Sequence, residues 1–311
     1  MKTGKLNILD IGCRYGVYPD FKKNTKLLNY FGVDCDLEEI IRLKKKYKKQ
    51  KNIKFYNAFL SNKNKNIKLY VPEHKGYMGS KKINNKSIWF GKIRKEENKV
   101  DKTITIRAHT SSDWLKKNKI KQDIIKLDIE GGEKDFLNGL TDKNFKSTGA
   151  ILIESELNKT YHAQATFSDV HNILIKKDFV SAKMEIFKEK INIFHKDDLI
   201  PDTISSIYVK KNFFFPDQLN EKEQLKFINI CYILELNALL FEILKFNKLL
   251  LKNNKNNLYN QPIKKMVGIH INTLLKDVTI EKKYVNDLFY QIFSSNIPKL
   301  NKFHEDNFFN T

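Results

Sequence analysis

The chain of 311 residues carries 57 lysines and arginines against 36 acidic residues, a formal net charge of +21, and 41% of its residues are hydrophobic. That content is ample for a buried core, and no apolar run approaches the length of a membrane span, so we predict none. Three cysteines are too few for a disulfide framework or a zinc site, which predicts free thiols and a cytoplasmic protein. The positive charge is almost entirely lysine. Scarce arginine argues against a nucleic-acid partner, because arginine favours bidentate contacts to phosphates and bases.

The first motif is a short apolar run that ends on a carboxylate and is followed by two glycines. Leu6–Ile11 predicts a buried strand that includes Asp10, and Gly12 and Gly16 let the backbone turn tightly and admit a ligand. The carboxyl end of a first parallel strand is the usual place for a nucleotide-like ligand. Arg14 stands where a dinucleotide motif has its second glycine. The spacing instead fits the looser acidic-x-Gly-x-x-x-Gly pattern of S-adenosylmethionine (SAM) sites, although any strand followed by a glycine turn gives a similar string.

A second acid ends the next predicted strand. Residues 17–30 predict a helix, and residues 30–34 predict a strand that ends at Asp34, roughly twenty residues after Gly12. An acid at this point commonly binds ribose, since each carboxylate oxygen can accept one hydroxyl of a vicinal diol. The alternative is that Asp34 only caps the helix predicted over residues 38–50.

A long polar segment separates two further predicted strands. Residues 53–56 predict a third strand, and residues 67–71 and 100–108 predict two more. Segments as long as residues 72–102 are usually lids, binding loops or disordered. Its aromatic side chains, unusual for a plain linker, are Tyr77, Trp89 and Phe90.

Two carboxylates follow another buried strand, predicted over residues 124–127. Strand periodicity points Asp128 and Glu130 to the same side. Carboxylates that face one cleft repel each other, so that one is held protonated or acts as a base near neutral pH. The alternative, that these acids cap the helix predicted after Gly132, explains Glu133 but not the pair.

The later elements complete an α/β pattern. Residues 149–156 predict a strand ending in acids, residues 167–177 a helix, and residues 179–188 and 204–210 a closing pair of strands. Alternating strands and helices predict a doubly wound, Rossmann-like, mostly parallel sheet with an antiparallel strand at one edge. We assign this domain to residues 1–213.

The remainder of the chain, residues 214–311, has a helical pattern and no catalytic motif. Helices are predicted over residues 225–246, 267–275 and 283–293. We expect a helical appendage that covers the core or self-associates as a homodimer.

Seven segments in register carry a family resemblance. They are LDIGCRYG at residues 9–16, GVDCD at 32–36, NAFLS at 57–61, IKLDIEGGE at 125–133, IESE at 153–156, QATF at 164–167 and KDF at 177–179. Together they resemble the FkbM-type SAM-dependent methyltransferases over roughly residues 5–212. The helical tail lies outside the resemblance.

The resemblance implies a class I methyltransferase that uses SAM, releases S-adenosylhomocysteine, and methylates hydroxyl groups of sugars, glycans or other small molecules. It places Asp10 near the methionine end of the cofactor, Asp34 at the ribose and residues 57–59 near the adenine. Arg14 departs from the family, which often has Asn or Gly there, and could alter the contacts to the cofactor's carboxylate. The cofactor-binding residues that the resemblance implies are Asp10, Gly12, Cys13, Arg14, Gly16, Asp34, Asp36, Asn57, Ala58, Phe59 and Asp128.

Methyl transfer to a hydroxyl needs a base, because the hydroxyl has a high pKa. The candidates are Asp128, Glu130 and Glu154 at adjoining strand ends, with Glu130 first, and His162 just past the fifth strand as a second choice. We predict no resident metal, although the three carboxylates could hold a divalent cation.

Two other functions stay open. The net charge suggests an RNA methyltransferase, but the Asn/Asp-Pro-Pro-aromatic motif of amino-methylating enzymes is absent, and residues 128–131 read DIEG instead. A non-catalytic cofactor-binding or assembly module is the third hypothesis, with Arg14 as a sign of decay. The intact acids and glycines of the motifs argue against it.

Overall fold

The computed structural model describes residues 5–97, 99–190, 199–215 and 218–240. The chain divides into two compact units between Phe215 and Pro216. The predicted helices over residues 267–275 and 283–293, and residues 241–246 of the one predicted over 225–246, lie outside the described residues. The continuous helix predicted over 225–246 is wrong within the described part, because a helix ends at Ile233 and Glu235 has φ +53°. The domain boundary at residue 213 and the helical appendage therefore stay predictions.

The described elements are as follows. The strands are β1 (Leu6–Ile11), β2 (Leu28–Asp34), β3 (Ile53–Asn57), β4 (Phe59–Ser61), β5 (Lys65–Pro72), β6 (Val100–Thr110), β7 (Ile124–Leu127), β8 (Ala150–Glu156), β9 (Phe179–Lys190) and β10 (Leu199–Lys210). The helices are α1 (Pro19–Lys22), α2 (Leu37–Lys46), α3 (Ser111–Lys117), α4 (Glu133–Asn138), α5 (Asp142–Ser147), α6 (Phe167–Lys176) and α7 (Glu221–Ile233).

Seven strands form the main sheet, in the order β3-β2-β1-β7-β8-β10-β9. The first five run parallel to one another. Strand β10 is antiparallel to both of its neighbours, β8 and β9. The predicted Rossmann-like, mostly parallel sheet is therefore confirmed, with the antiparallel strand one position inside the edge. A second sheet of three strands has the order β4-β6-β5.

The central strands are apolar because both faces of the sheet are covered. Leu9 on β1, Ile125 on β7 and Ile151 on β8 are completely buried in one hydrophobic cluster. The chain continues from β1 to β2 on one side, whereas β7 joins β1 on the other. Such a reversal opens a crevice at the carboxyl ends of the strands, which is where ligands bind in open α/β sheets.

The predicted helix over residues 17–30 is wrong. Helix α1 has only four residues, a 3-10 turn follows at Thr25–Leu27, and β2 already begins at Leu28. Within α1 only Phe21 is buried. The next five residues, KKNTK, supply no apolar stripe that could hold a longer helix against the sheet.

No helix within the described ranges is long and apolar enough to span a bilayer.

Candidate active site

The turn after β1 depends on glycine. Gly12 has φ +86° and Gly16 has φ +98°, both in the left-handed region that side chains disfavour. A Cβ on Gly12 would lie 1.8 Å from the carbonyl oxygen of Asp128, so the turn passes directly against the end of β7. The Gly12 amide donates to the Val33 carbonyl at 2.9 Å, which fixes the turn to β2 as well.

Asp10 lies beneath this turn, 1% exposed. Its Oδ2 accepts a 2.6 Å hydrogen bond from the Tyr30 hydroxyl, which also donates to the Gly16 carbonyl at 3.2 Å. Its Oδ1 has no hydrogen-bond partner within the described ranges and lies 3.7 Å from Lys126 Nζ. Burial raises the pKa of Asp10, and the ammonium of Lys126 opposes that shift. Neither Tyr30 nor Lys126 was predicted as a site residue: Tyr30 lies outside the motifs, and Lys126 lies in the segment of residues 125–133, where only the acids were considered.

A cavity of about 180 Å³ opens at the carboxyl ends of β1, β2 and β7. Six of the predicted cofactor-binding residues line it, as does the base candidate Glu130. Those six are Gly12, Arg14, Asp34, Ala58, Phe59 and Asp128.

The other predicted cofactor-binding residues lie behind this lining. Asp36 caps α2 by accepting from the amides of Glu38 and Glu39, and its Oδ2 pairs with Arg14 at 2.9 Å. The Asn57 side chain donates to the Asp34 carbonyl at 3.1 Å. Thus Asp36 and Asn57 hold two lining residues in place. Asp10, Cys13 and Gly16 likewise do not line the cavity.

One wall of the cavity comes from the polar segment predicted to be a lid or binding loop. Residues 74–78 line it, and the rings of His74 and Tyr77 contact each other with centroids 4.7 Å apart and planes tilted by 38°. Lys75 ties this wall to α2 through a 2.9 Å ion pair with Glu38. The aromatic content of the segment was the only sequence signal, and it indicated Tyr77 but not His74.

Asp34 presents a largely buried carboxyl to the cavity. Its Oδ1 accepts from the Asp36 amide at 2.8 Å. Burial raises the pKa of Asp34 to about 6, while the Asp36 amide and the Arg14 guanidinium oppose the shift. At neutral pH the group is ionised and can accept hydroxyl hydrogen bonds from a ligand.

The base candidates differ in their surroundings. Asp128 pairs with Lys126 at 3.2 Å. Glu130 is partly buried and accepts a hydrogen bond from the Tyr161 hydroxyl. The side chain of Glu154 is partly desolvated although it is exposed, and this desolvation and the nearby Asp128 raise its pKa to about 7.

The argument that placed Asp128 and Glu130 together was wrong, although both line the cavity. Strand β7 ends at Leu127, and Glu130 has φ +55°, so strand periodicity does not apply to it. Glu133, the acid explained by helix capping, is buried and accepts from the Ile129 amide at 3.1 Å.

His162 does not line the cavity. Its side chain is exposed, and its amide donates to the Lys82 carbonyl at 2.8 Å. Among the residues that the structure describes, no group of three or more His, Cys, Asp or Glu side chains is arranged to hold a metal ion.

The family model of the methyltransferase FkbM domain matches residues 10–181, more than half of the chain. The chain belongs to the FkbM methyltransferase family. This FkbM protein is accordingly a SAM-dependent methyltransferase, and SAM is its cofactor. The residues at the cavity fit that ligand, because they provide a glycine turn without room for a Cβ and an ionisable Asp34 at the end of β2.

Solved structures with a similar chain trace are distant in sequence. The N-methyltransferase NodS from Bradyrhizobium japonicum is 12% identical, with 67% of this chain and 86% of that chain covered at a TM-score of 0.35. A TehB-like SAM-dependent methyltransferase from Corynebacterium glutamicum is 12% identical, covering 67% and 82% at 0.33. The fibrillarin pre-rRNA processing protein of Methanococcus jannaschii is 13% identical, covering 68% and 69% at 0.36. Similarities this low assign no acceptor. A search of functionally curated proteins found no significant match.

Replacing Asp34 with asparagine is expected to weaken SAM binding by about tenfold or more, because the amide accepts ribose hydroxyls less strongly than a carboxylate does. The same change should stabilise the cofactor-free protein. The folded-state pKa is raised from 3.8 to about 6, so the wild type loses stability as pH rises through that window. Asparagine does not ionise, so the variant avoids this loss in the free energy of unfolding, which is about 1–3 kcal/mol above pH 6.

Calorimetric titration with SAM and thermal unfolding at pH 4 to 8 measure the two effects. The asparagine retains an oxygen for the Asp36 amide, so the turn into α2 is preserved. Undiminished SAM affinity in Asp34→Asn would show that the ribose lies elsewhere.

Proposed function

We propose that this FkbM methyltransferase methylates a hydroxyl group of an uncharged polar acceptor, a sugar, glycan or similar small molecule, with Glu130 as the general base. One observation carries the proposal. The carboxylate of Glu130 lines the same cavity as Gly12 and Asp34, and only one of its oxygens accepts a hydrogen bond from a described residue.

The chemistry needs alignment and a proton acceptor. When bound, SAM would supply an electrophilic methyl group on a positively charged sulfur, with S-adenosylhomocysteine as the leaving group. Glu130 takes the hydroxyl proton on its second oxygen, which leaves the acceptor oxygen with the electron pair for the new bond. Gly12 and the wall formed by His74 and Tyr77 line the cavity, so they would help to align an acceptor bound there.

The charge around the cavity favours a neutral acceptor. Desolvation raises the pKa of Glu130 and of Glu154, and the nearby charge of Asp128 raises both further. Lys126, the cation nearest to Asp128, is itself shared with Asp10. The cavity is lined by three acids, Asp34, Asp128 and Glu130, and by two cations, Arg14 and Lys75, so the net charge of +21 is not concentrated at the reaction site.

Transfer of radiolabelled methyl groups from SAM to a panel of acceptors tests the proposal. The panel contains neutral mono- and oligosaccharides, polyols, primary amines and total RNA, and Asp34→Asn serves as the control with impaired cofactor binding. Label in carbohydrate or polyol supports hydroxyl methylation. Label in RNA alone contradicts it, and a folded wild type that fails to bind SAM would favour the non-catalytic module.

A further inference from the structure

We infer that Tyr161 is a positioning residue for Glu130, which holds one oxygen of the carboxylate so that the other faces the acceptor as an ionised base. This inference rests on the proposed function, in which Glu130 accepts the proton. Sequence reasoning considered the neighbouring His162 but not Tyr161.

Tyr161 is held rigidly from two sides. Its side chain is 1% exposed and belongs to a small cluster with Ile83 and Phe90, whose ring centroid is 5.5 Å from that of Tyr161. Its amide donates to the Gln164 side chain at 2.9 Å, and its backbone bridges to Ile83. A phenol fixed in this way costs little additional entropy when its hydroxyl donates to a partner.

Glu130 has little freedom of its own. Its backbone is in the left-handed region between β7 and α4, at φ +55°. Gly79 packs against it so closely that a Cβ there would lie 3.2 Å from the Glu130 carbonyl oxygen and 3.4 Å from its Cβ. The Tyr161 hydroxyl donates to Oε2. Oε1 has no hydrogen-bond donor among the residues that the structure describes, which leaves it for an acceptor in the cavity.

The hydrogen bond also opposes the surroundings of Glu130. Desolvation and the carboxylate of Asp128 raise the pKa of Glu130, whereas the Tyr161 hydroxyl lowers it. A base must be ionised to accept a proton, so Tyr161 widens the pH range in which Glu130 can act. The titratable groups that act on Glu130 or respond to its charge are Asp128, Glu133, Glu154, Glu156, Tyr77 and Tyr161.

The variant Tyr161→Phe tests the inference because it keeps the packed ring and removes only the hydroxyl. Protein labelled with ¹³C at the glutamate carboxyl is titrated by NMR, and the Glu130 resonance is the one lost in Glu130→Gln. We expect the pKa of Glu130 to rise by about one unit in Tyr161→Phe, as for the loss of a hydrogen bond to a charged group. An unchanged pKa overturns the inference.

The matched control is Tyr77→Phe. Tyr77 lines the same cavity, but its hydroxyl donates to Glu97 at 2.9 Å, so the pKa of Glu130 should stay within about 0.3 unit. If Tyr161→Phe does not fold, the ¹³Cζ shift of Tyr161 in the wild type provides the measurement. It should follow the titration of Glu130 and lose that step in Glu130→Gln.

Kinetics on an acceptor found with the panel separates this inference from the proposed function. In Tyr161→Phe the rise of kcat with pH should shift upward by about one pH unit, and kcat should recover at high pH. A merely structural defect would not show this recovery. Full activity of Glu130→Gln would overturn the proposed base, whatever the pKa shift. If Glu130→Gln is inactive but the pH profile of Tyr161→Phe is unchanged, only the role of Tyr161 is overturned.

Discussion

Replacement of Glu130 by glutamine is expected to reduce kcat about 10²–10⁴-fold, the usual contribution of a general base. Glutamine keeps the size of the side chain and an oxygen that can accept from the Tyr161 hydroxyl, so SAM binding should change less than threefold. It cannot take the acceptor proton at neutral pH. Single-turnover methyl transfer and calorimetric titration with SAM measure the two quantities on the same preparation.

The stability of Glu130→Gln and the activity of Glu154→Gln provide the controls. Because the folded-state pKa of Glu130 is raised, the wild type loses stability as pH rises towards that value, and Glu130→Gln should be at least as stable at neutral pH. Glu154→Gln removes an exposed carboxylate near Asp128 and should retain most activity. If Glu154→Gln were the inactive variant instead, the base would be Glu154.

Gly12→Ala is expected to be the most destabilising change at the site, by about 4 kcal/mol or more. The new Cβ would lie 1.8 Å from the Asp128 carbonyl oxygen, which is backbone and cannot rotate away, and φ +86° adds strain. The clash can be relieved only if β1 and β7 move apart. We expect the midpoint of thermal unfolding to fall by about 10 °C and SAM binding to be lost.

Gly16→Ala is the matched control at φ +98°. There the atoms nearest to a new Cβ belong to the side chains of Tyr47 and Leu43, at 3.1 and 3.2 Å. These can shift, so only the backbone strain of about 1–2 kcal/mol remains. A larger loss of stability in Gly16→Ala than in Gly12→Ala would contradict the geometry.

Sequence patterns predicted the sheet well where apolar runs were short and ended on acids. Residues 124–127 are β7 exactly as predicted, because a strand covered on both faces must be apolar almost throughout. The pattern failed over residues 17–30, where a helix was predicted but nothing indicated that it would have only four residues. The length of a helix depends on its packing against the sheet. Hydrophobic periodicity therefore predicts that length only where an apolar stripe extends along the whole segment.

The lining of the cavity was predictable where it consists of motif residues at strand ends. Gly12, Asp34 and Glu130 line the cavity, as expected of acids and glycines after parallel strands. Asp36, which only the family resemblance suggested, caps α2 instead of lining the cavity. Tyr161 was not predictable, since its hydroxyl reaches Glu130 across a sequence separation of 31 residues.

The position of β1 in the middle of the sheet constrains how the newly made chain can fold. Strand β1 pairs with β2, which follows soon after it, but its other edge waits for β7. During synthesis that edge stays open until residue 127 has left the ribosome, and the hairpin of β9 and β10 can dock on β8 only later. Open apolar edges and distant pairings slow folding and promote aggregation. We therefore expect ribosome-associated chaperones to increase the yield of folded protein.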